Sequence, residues 1–371
     1  MDKNTRKSSF SKWISPINFG NLYDQVKLLN QDYYTKKLTT EAYLKLMLFA
    51  QLHESESLHA MSDALLDDNL QKALGFDSIS ASQLSRKNNE INPSILSNIF
   101  LDLVAQIQGF HGGKKTESQL KIIDSTTLPL NLTHYEWAKF RKTKAGVKLH
   151  LRLVYMDKNT VYPDQAIITN AREHDRNQLE VHIDDKDALY VFDRGYVDYE
   201  RFDRMTDDGY FFISRIKKNA VIREVESFTL SKHSNILSDQ MIYLGTPQRR
   251  TENVFRLIKV ADTKGNILRI ITNRFDLSPE KISDIYKSRW AIELFFKWLK
   301  QHVNIKHFYG MSENAVLNQI YIALIAYCLH VLIQLKAKSK KSLLRISRWL
   351  KAALWKPAYI WLHRFRSRAS P

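Results

Sequence analysis

Leu120-Lys121-Ile122-Ile123-Asp124-Ser125-Thr126-Thr127 sets a carboxylate directly after a short apolar run, and Leu189-Tyr190-Val191-Phe192-Asp193-Arg194-Gly195-Tyr196 repeats the arrangement. In open α/β sheets ligands gather at strand ends, so two such aspartates can point into one crevice. Either one alone has a duller use, capping the next helix or turn. Outward from these stretches, further β-branched runs occupy 147–155, 161–169 and 210–213, with helical patterns at 175–181 and 199–205. Strands first, then strands alternating with helices, predict a mixed α/β sheet. Strand-like pieces alone follow, at 221–225, 241–244, 254–258 and 267–271, which predicts a β-strand insertion at 216–276 within the α/β domain.

A third acid sits on the next helical pattern. Ser278 is a candidate N-cap, with Pro279 at the first helical position. At ~100° per residue from Tyr286, the side chains of Arg289, Glu293, Lys297 and Lys300 fall with it on one stripe ~80° wide. Ile285, Ile292, Phe295, Phe296 and Leu299 cover the other side. A solvated face with ion pairs at i, i+4 explains the charges but not the phenol in line with them. A carboxylate flanked by cations is equally what a metal-and-phosphate site requires. Hard oxygen ligands and phosphate substrates suit Mg²⁺ or Mn²⁺.

The first hundred residues read as helices. Thr39 is a plausible N-cap before Tyr43, Leu44, Met47, Leu48 and Leu52 at helical spacing. A second helix fits 58–66, Gly75 breaks the pattern, and a short polar helix at 80–88 carries Gln83, Ser85, Arg86 and Lys87. Asn92-Pro93 opens another helix. Helix, turn and a short helix of Gln, Ser, Arg and Lys is what a DNA-reading helix-turn-helix shows, and equally what a small helical bundle shows.

At 371 residues the chain has room for two or three domains, and 44% hydrophobic residues suffice for a sizeable core. Lys+Arg of 56 against Asp+Glu of 39 gives a formal charge of +17, which points first to nucleic acid as partner. The single cysteine, Cys328, excludes a disulfide framework and a cysteine-rich zinc module. Gly109 to Thr116 resembles a phosphate loop, but Lys114 stands where the second Gly belongs, so the stretch reads as a linker. No secretory h-region is visible at the N-terminus. The most apolar stretch, 320–335, contains His330 and Gln334 and falls short of the ~20 residues of a membrane span, so a buried helix and no membrane partner are expected. After Glu313 there is no acid, while Lys and Arg alternate with Trp349, Trp355, Trp361 and Phe365. Disordered tails are poor in aromatics, so the C-terminus reads as a basic helix, ordered by itself or on binding.

Tyr286-x2-Arg289-x3-Glu293-x6-Lys300 resembles the Tyr-Arg-Glu-Lys signature of Asp-Asp-Glu (DDE) transposases of the insertion-sequence-four family, which serve bacterial cut-and-paste insertion sequences. Asp124-Ser125-Thr126 is similar to the family's first-aspartate motif and Asp193-Arg194-Gly195-Tyr196 to its second. The resemblance implies a ribonuclease-H-like catalytic core with a β insertion at 116–335, a helical DNA-binding domain at 1–115 and a basic C-terminal segment at 336–371. Asp124, Asp193 and Glu293 are then catalytic and hold two Mg²⁺ or Mn²⁺ ions. Tyr286, Arg289, Lys297, Lys300, Arg194 and Arg215 contact DNA phosphates, and Gln83, Ser85, Arg86 and Lys87 are candidate N-terminal DNA contacts. The implied activity is metal-dependent excision of a mobile element through hairpin ends and strand transfer into target DNA. The implied partners are double-stranded DNA, at element ends and target, and a second copy in a DNA-bound synaptic complex, in the bacterial cytoplasm at the nucleoid. Some relatives stack a flipped base on a Trp in the insertion; here there is none, and Phe228, Tyr243 or Phe255 is left for that role. A nuclease of the same fold without joining activity, and a helix-turn-helix regulator, are the competing readings.

Overall fold

The computed structural model describes residues 7–110, 119–157, 160–230, 235–262, 265–302 and 308–362. Seven helices come first among these: α1 (Ser9–Ile14), α2 (Phe19–Leu28), α3 (Thr40–His53), α4 (Leu58–Asp63), α5 (Asp68–Leu74), α6 (Ala81–Glu90) and α7 (Pro93–Gly109). Then follow β1 (Leu120–Leu130), β2 (Lys139–Arg141), β3 (Lys144–Asp157), β4 (Thr160–Asn170), α8 (Asp175–Gln178), β5 (Leu189–Phe192), α9 (Tyr199–Asp207) and β6 (Phe211–Arg215). The chain continues through β7 (Ile222–Ser227), β8 (Ile236–Leu244), β9 (Phe255–Ala261), β10 (Ile267–Thr272), α10 (Pro279–Ser288) and α11 (Trp290–His302). It ends in α12 (Glu313–Lys336), α13 (Leu343–Ala352) and α14 (Ala358–Leu362). Most of the Gly109–Thr116 linker lies outside the described residues, as do Phe365, Arg364, Arg366 and Arg368.

Two compact units emerge, and they do not follow the expected cuts at 115 and 335. One gathers Met1–Lys114, Pro129–Gly146 and Lys297–Pro371; the other comprises Lys115–Leu128 and Val147–Phe296. In the first unit α12 is the central element, packed against α7, α3, α6 and α13. It is apolar on every side because it is surrounded. By length and composition it is able to cross a membrane, but 89% of its most apolar window is buried, as in a core helix. Asn318, in its middle, donates through its side-chain amide to the carbonyls of Asn88 at 3.2 Å and Ile91 at 3.0 Å, so its buried N–H groups are satisfied inside.

The C-terminal segment is no separate tail. The Ser9 and Phe10 amides donate to the Lys356 and Leu354 carbonyls, each at 2.9 Å. Trp355 donates its indole N–H to Asp67 at 2.6 Å and lies against Phe10 and Phe49, while Trp361 is buried. These two tryptophans cover the helical core and leave the cations Arg348, Lys351 and Lys356 to solvent; Trp349 lies under the Arg345 guanidinium, 5.0 Å from its ring centre.

Of the expected N-terminal DNA contacts, Lys87 is displaced from that role. It is buried and paired with Asp32 at 2.5 Å, a contact no sequence spacing announces. Gln83 closes a capping box with Ser80, Ser85 is half-buried and Arg86 is exposed.

The second unit is built on the sheet, whose strands run β2-β3-β1-β5-β6-β10-β9-β8-β7, with β4 also paired to β3. β5 is parallel to β1, and β6 is parallel to β5. The strands of the expected insertion form no separate module. β10 pairs antiparallel with β6, and β9, β8 and β7 carry the same sheet onward. Phe192, Phe202, Phe212 and Phe255 interlock in its core, which removes Phe255 from any base-stacking role; Tyr243 is half-buried and Phe228 lies beside the Arg256 guanidinium. Arg256 grips Asp239 through two bonds of 2.8 and 2.6 Å in the buried interior, and donates to the Leu277 carbonyl at 2.5 Å, one residue before the N-cap of α10.

Candidate active site

Parallel pairing of β1 with β5 matches Leu120 to Leu189 and ends with Ile123 opposite Phe192. The next residue on each strand is an aspartate, so the ladder itself sets Asp124 beside Asp193. Asp193 follows directly on the end of β5, as expected. Asp124 does not: β1 runs on to Leu130, and only its parallel pairing stops at Ile123.

The helix expected to run unbroken from Pro279 is jointed. α10 starts as predicted, with Ser278 capping the Lys281 amide, but it ends at Ser288, and α11 begins at Trp290. At the joint the Ile292 amide bonds the Arg289 carbonyl, a tight i, i+3 turn. The break is one residue long and Arg289 keeps right-handed helical dihedrals, so Arg289 and Glu293 still meet at i, i+4 spacing. Tyr286 is buried, whereas Arg289 swings toward β1, its Nη1 lying 3.1 Å from Asp124 Oδ2 and 3.1 Å from Glu293 Oε1. One guanidinium thus ties the first acid to the third. Arg215, from the end of β6, holds Asp193 at 3.3 Å. Arg194 is exposed in the turn after Asp193, and Lys297 and Lys300 are exposed on α11 at i+4 and i+7 from Glu293.

Electrostatics follow from this crowding. Burial pushes the Asp124 carboxyl up to about 6, helped by Glu293 and Asp193, although the Ser125 amide and Arg289 pull the other way. Burial likewise raises the Tyr286 phenol, which has Arg289, Asp193 and Arg215 around it. A carboxyl whose folded value lies above its unfolded one binds a proton more tightly in the native state. In metal-free protein Asp124 therefore costs stability as pH rises from about 4 through about 6, by at most about 3 kcal/mol. Asp124→Asn is expected to remove that slope, so its denaturation midpoint gains on wild type across this window. Parallel curves for the two proteins would contradict it.

Sequence reasoning missed a second group behind the first aspartate. Ser125 donates to Asp175 at 2.5 Å, while its own amide holds Asp124 at 2.8 Å. Asp175 is paired with Lys148 at 3.3 Å and lies 3.7 Å from the buried His150, whose imidazole burial pushes down to about 4. Tyr196, buried beside Ser125, completes the surroundings. Lys148 and His150 were legible only as strand residues, and Asp175 only as the start of a polar helix. Shells of this kind typically change metal affinity or activity by about 10–100-fold when removed. Asp175→Ala is expected to lower cleavage by a factor in that range with DNA-end binding unchanged, measured by gel assay and anisotropy on the same preparation.

Asp124, Asp193 and Glu293 make a hard, all-oxygen donor set, the chemistry that Mg²⁺ and Mn²⁺ select. Among the described residues no three acid, His or Cys side chains are gathered closely enough to grip an ion as they stand. Instead Arg289 places a positive charge on the two carboxylates that a divalent ion would share. The donor chemistry fits, provided that Arg289 yields.

Residues 115–329, more than half of the chain, match the family described as Transposase DDE domain, and residues 5–77 match a domain of unknown function. The chain is 29% identical over 298 residues to a probable transposase for insertion sequence element IS5377 from Geobacillus stearothermophilus, covering 80% of this chain and 76% of that one. It is 23% identical over 299 residues to a protein named as transposase for insertion sequence element IS4SA from Synechocystis sp., covering 79% and 83%. Among solved structures, a piggyBac transposase synaptic complex with hairpin DNA aligns over 98% of this chain and 82% of its own, at 10% identity and a TM-score of 0.45. With Arg289 bonded to Asp124 and Glu293, Arg215 bonded to Asp193, and the family match covering more than half of the chain, the chain belongs to the DDE transposase domain family.

Proposed function

We propose that this protein is a transposase of the insertion-sequence-four type, which excises a mobile DNA element and joins it to target DNA. The observation that carries the reading is Arg289 bonded to both Asp124 and Glu293, with Asp193 fixed next to Asp124 by the β1–β5 register. The strand order β4-β3-β1-β5-β6, with β1 central and β5 and β6 running parallel to it, supports a ribonuclease-H-like core. The naming of its relatives as transposases of insertion sequence elements agrees.

Asp124, Asp193 and Glu293 would hold two Mg²⁺ or Mn²⁺ ions, whose chemistry is to activate the attacking oxygen and stabilise the leaving one. Arg215 orients Asp193, and Arg289 passes from carboxylates to a DNA phosphate once those carboxylates are engaged. Tyr286, its phenol kept protonated by burial, donates to phosphate and is no nucleophile. Arg194, Lys297 and Lys300 neutralise neighbouring phosphates. Water nicks an element end, the freed 3′-hydroxyl attacks the opposite strand to leave a hairpin, and the reopened end attacks target DNA. No covalent protein–DNA link is required. Two copies pair two ends on double-stranded DNA in the bacterial cytoplasm.

The test is purified protein with Mg²⁺, labelled DNA bearing the two ends of its own element, and a supercoiled target. Nicked ends, hairpins and joined products are expected. Nicks without hairpins or joining would leave a nuclease, and end binding without any cleavage would leave a regulator.

A further inference from the structure

Between α2 and α3 the chain reads Lys27-Leu28-Leu29-Asn30-Gln31-Asp32-Tyr33-Tyr34-Thr35-Lys36-Lys37. Its inner side is firmly held. Asp32 accepts the Thr40 amide at 2.8 Å and the Thr40 hydroxyl at 2.8 Å, and pairs with the buried Lys87 of α6. Gln31 donates to the Glu90 carbonyl at 3.0 Å and accepts the Asn92 amide at 2.9 Å. The loop is therefore pinned across the end of α6 and the start of α7.

Its outer side does nothing for the fold. Leu28 is 80% exposed, Tyr33 70% and Tyr34 88%, and Lys27, Lys36 and Lys37 stand exposed around them. The two phenol rings meet each other edge to face, centres 4.2 Å apart. Tyr34 has φ 65 and Asn30 φ 50, in the left-handed region. Asn adopts that conformation readily; a tyrosine does so at a cost, here with the exposed Tyr33 ring packed against it. Asp32 is neutralised by Lys87, and Lys37 meets Asp77 only across an exposed 3.6 Å pair that salt screens. A strained, exposed aromatic pair bracketed by cations on a rigid base is suited to an anionic partner with flat, apolar edges.

We infer that this loop is a DNA contact, in which Tyr33 and Tyr34 pack against sugars and base edges of duplex DNA while Lys27, Lys36 and Lys37 meet the flanking phosphates. It rests on the reading that element-end DNA is the substrate. A second copy of the chain is the lesser candidate, because two chains of formal charge +17 repel and the apolar patch is ringed with lysine.

The experiment compares full-length wild type, Tyr34→Asn, Tyr33→Ala and the pair Lys36→Ala, Lys37→Ala, by thermal melting, light scattering and anisotropy with a labelled end duplex across a salt series. Tyr34→Asn is expected to melt at or above wild type while binding DNA about tenfold more weakly, a combination that a merely structural tyrosine would not give. The double lysine variant should lower the slope of log affinity against log salt by about two units. Wild-type affinity and slope in these variants would overturn the inference. So would loss of a DNA-free self-association with single-copy DNA binding intact, which would assign the loop to a second copy. If wild type itself neither binds nor cuts element ends, the transposase reading fails; if it does both and the variants match it, only the loop assignment falls.

Discussion

Replacing Asp124, Asp193 or Glu293 by Ala is expected to lower Mg²⁺-dependent cleavage of element ends by at least about 10³-fold, while end binding stays within a few-fold of wild type. Binding is carried by many phosphate contacts and survives the loss of one acid. On the proposed reading cleavage would need carboxylates from three separate segments, and the ladder that aligns β1 with β5 cannot substitute for a missing one. The same gel reports the joined product, so cutting and joining are scored together. Retained cleavage in one variant would remove that residue from the site. An equal loss of binding and cutting would recast the acids as structural.

The second large effect is on stability. Asp239→Ala leaves the Arg256 guanidinium buried without its counter-charge, and breaking a buried pair from one side typically costs about 3–5 kcal/mol. Chemical denaturation should register a loss of that size. Restoring an apolar interior with Asp239→Leu and Arg256→Met together should cost clearly less than the single change. Because Arg256 also grips the Leu277 carbonyl just before α10, the single variant should cleave poorly even at temperatures where it stays folded. A single variant as stable as wild type would show that the pair contributes nothing net.

What could be read from sequence was whatever local chemistry decides. Thr39, Asn92-Pro93 and Ser278-Pro279 announce helix starts because a side-chain oxygen must meet a free amide there, and each caps as expected. Runs of β-branched residues located the strands of the sheet, and the two Asp motifs fall side by side where the β1–β5 ladder ends. What escaped was decided by partners far away in sequence. Nothing local in Ser288-Arg289-Trp290 breaks a helix; there is no Pro or Gly, and the joint goes with Arg289 reaching Asp124. Lys87 looked solvent-bound on a polar helix until Asp32, from another segment, enclosed it. Asp175 looked like any acid at a helix start, and its link to Ser125 exists only once β1 and α8 are folded together. The tryptophans of the C-terminus read as ordered by themselves or on binding, and the surface that Trp355 covers belongs to helices at the opposite end of the chain.

Because peptide hydrogen bonds between β1 and β5 set the spacing of the two aspartates, that spacing is indifferent to what is inserted between them. The connection from Asp124 to Asp193 passes through β2, β3, β4 and α8, and any of their turns can lengthen without altering which residue follows Ile123 or Phe192. The sheet acts as a ruler graduated in peptide units, and a ruler is not stretched by what hangs from it. Such an arrangement lets these turns vary in length while the two carboxylates keep their spacing. A deletion of one residue inside 120–123 would do what a rewritten loop cannot, moving Asp124 one graduation along and to the opposite face of the sheet.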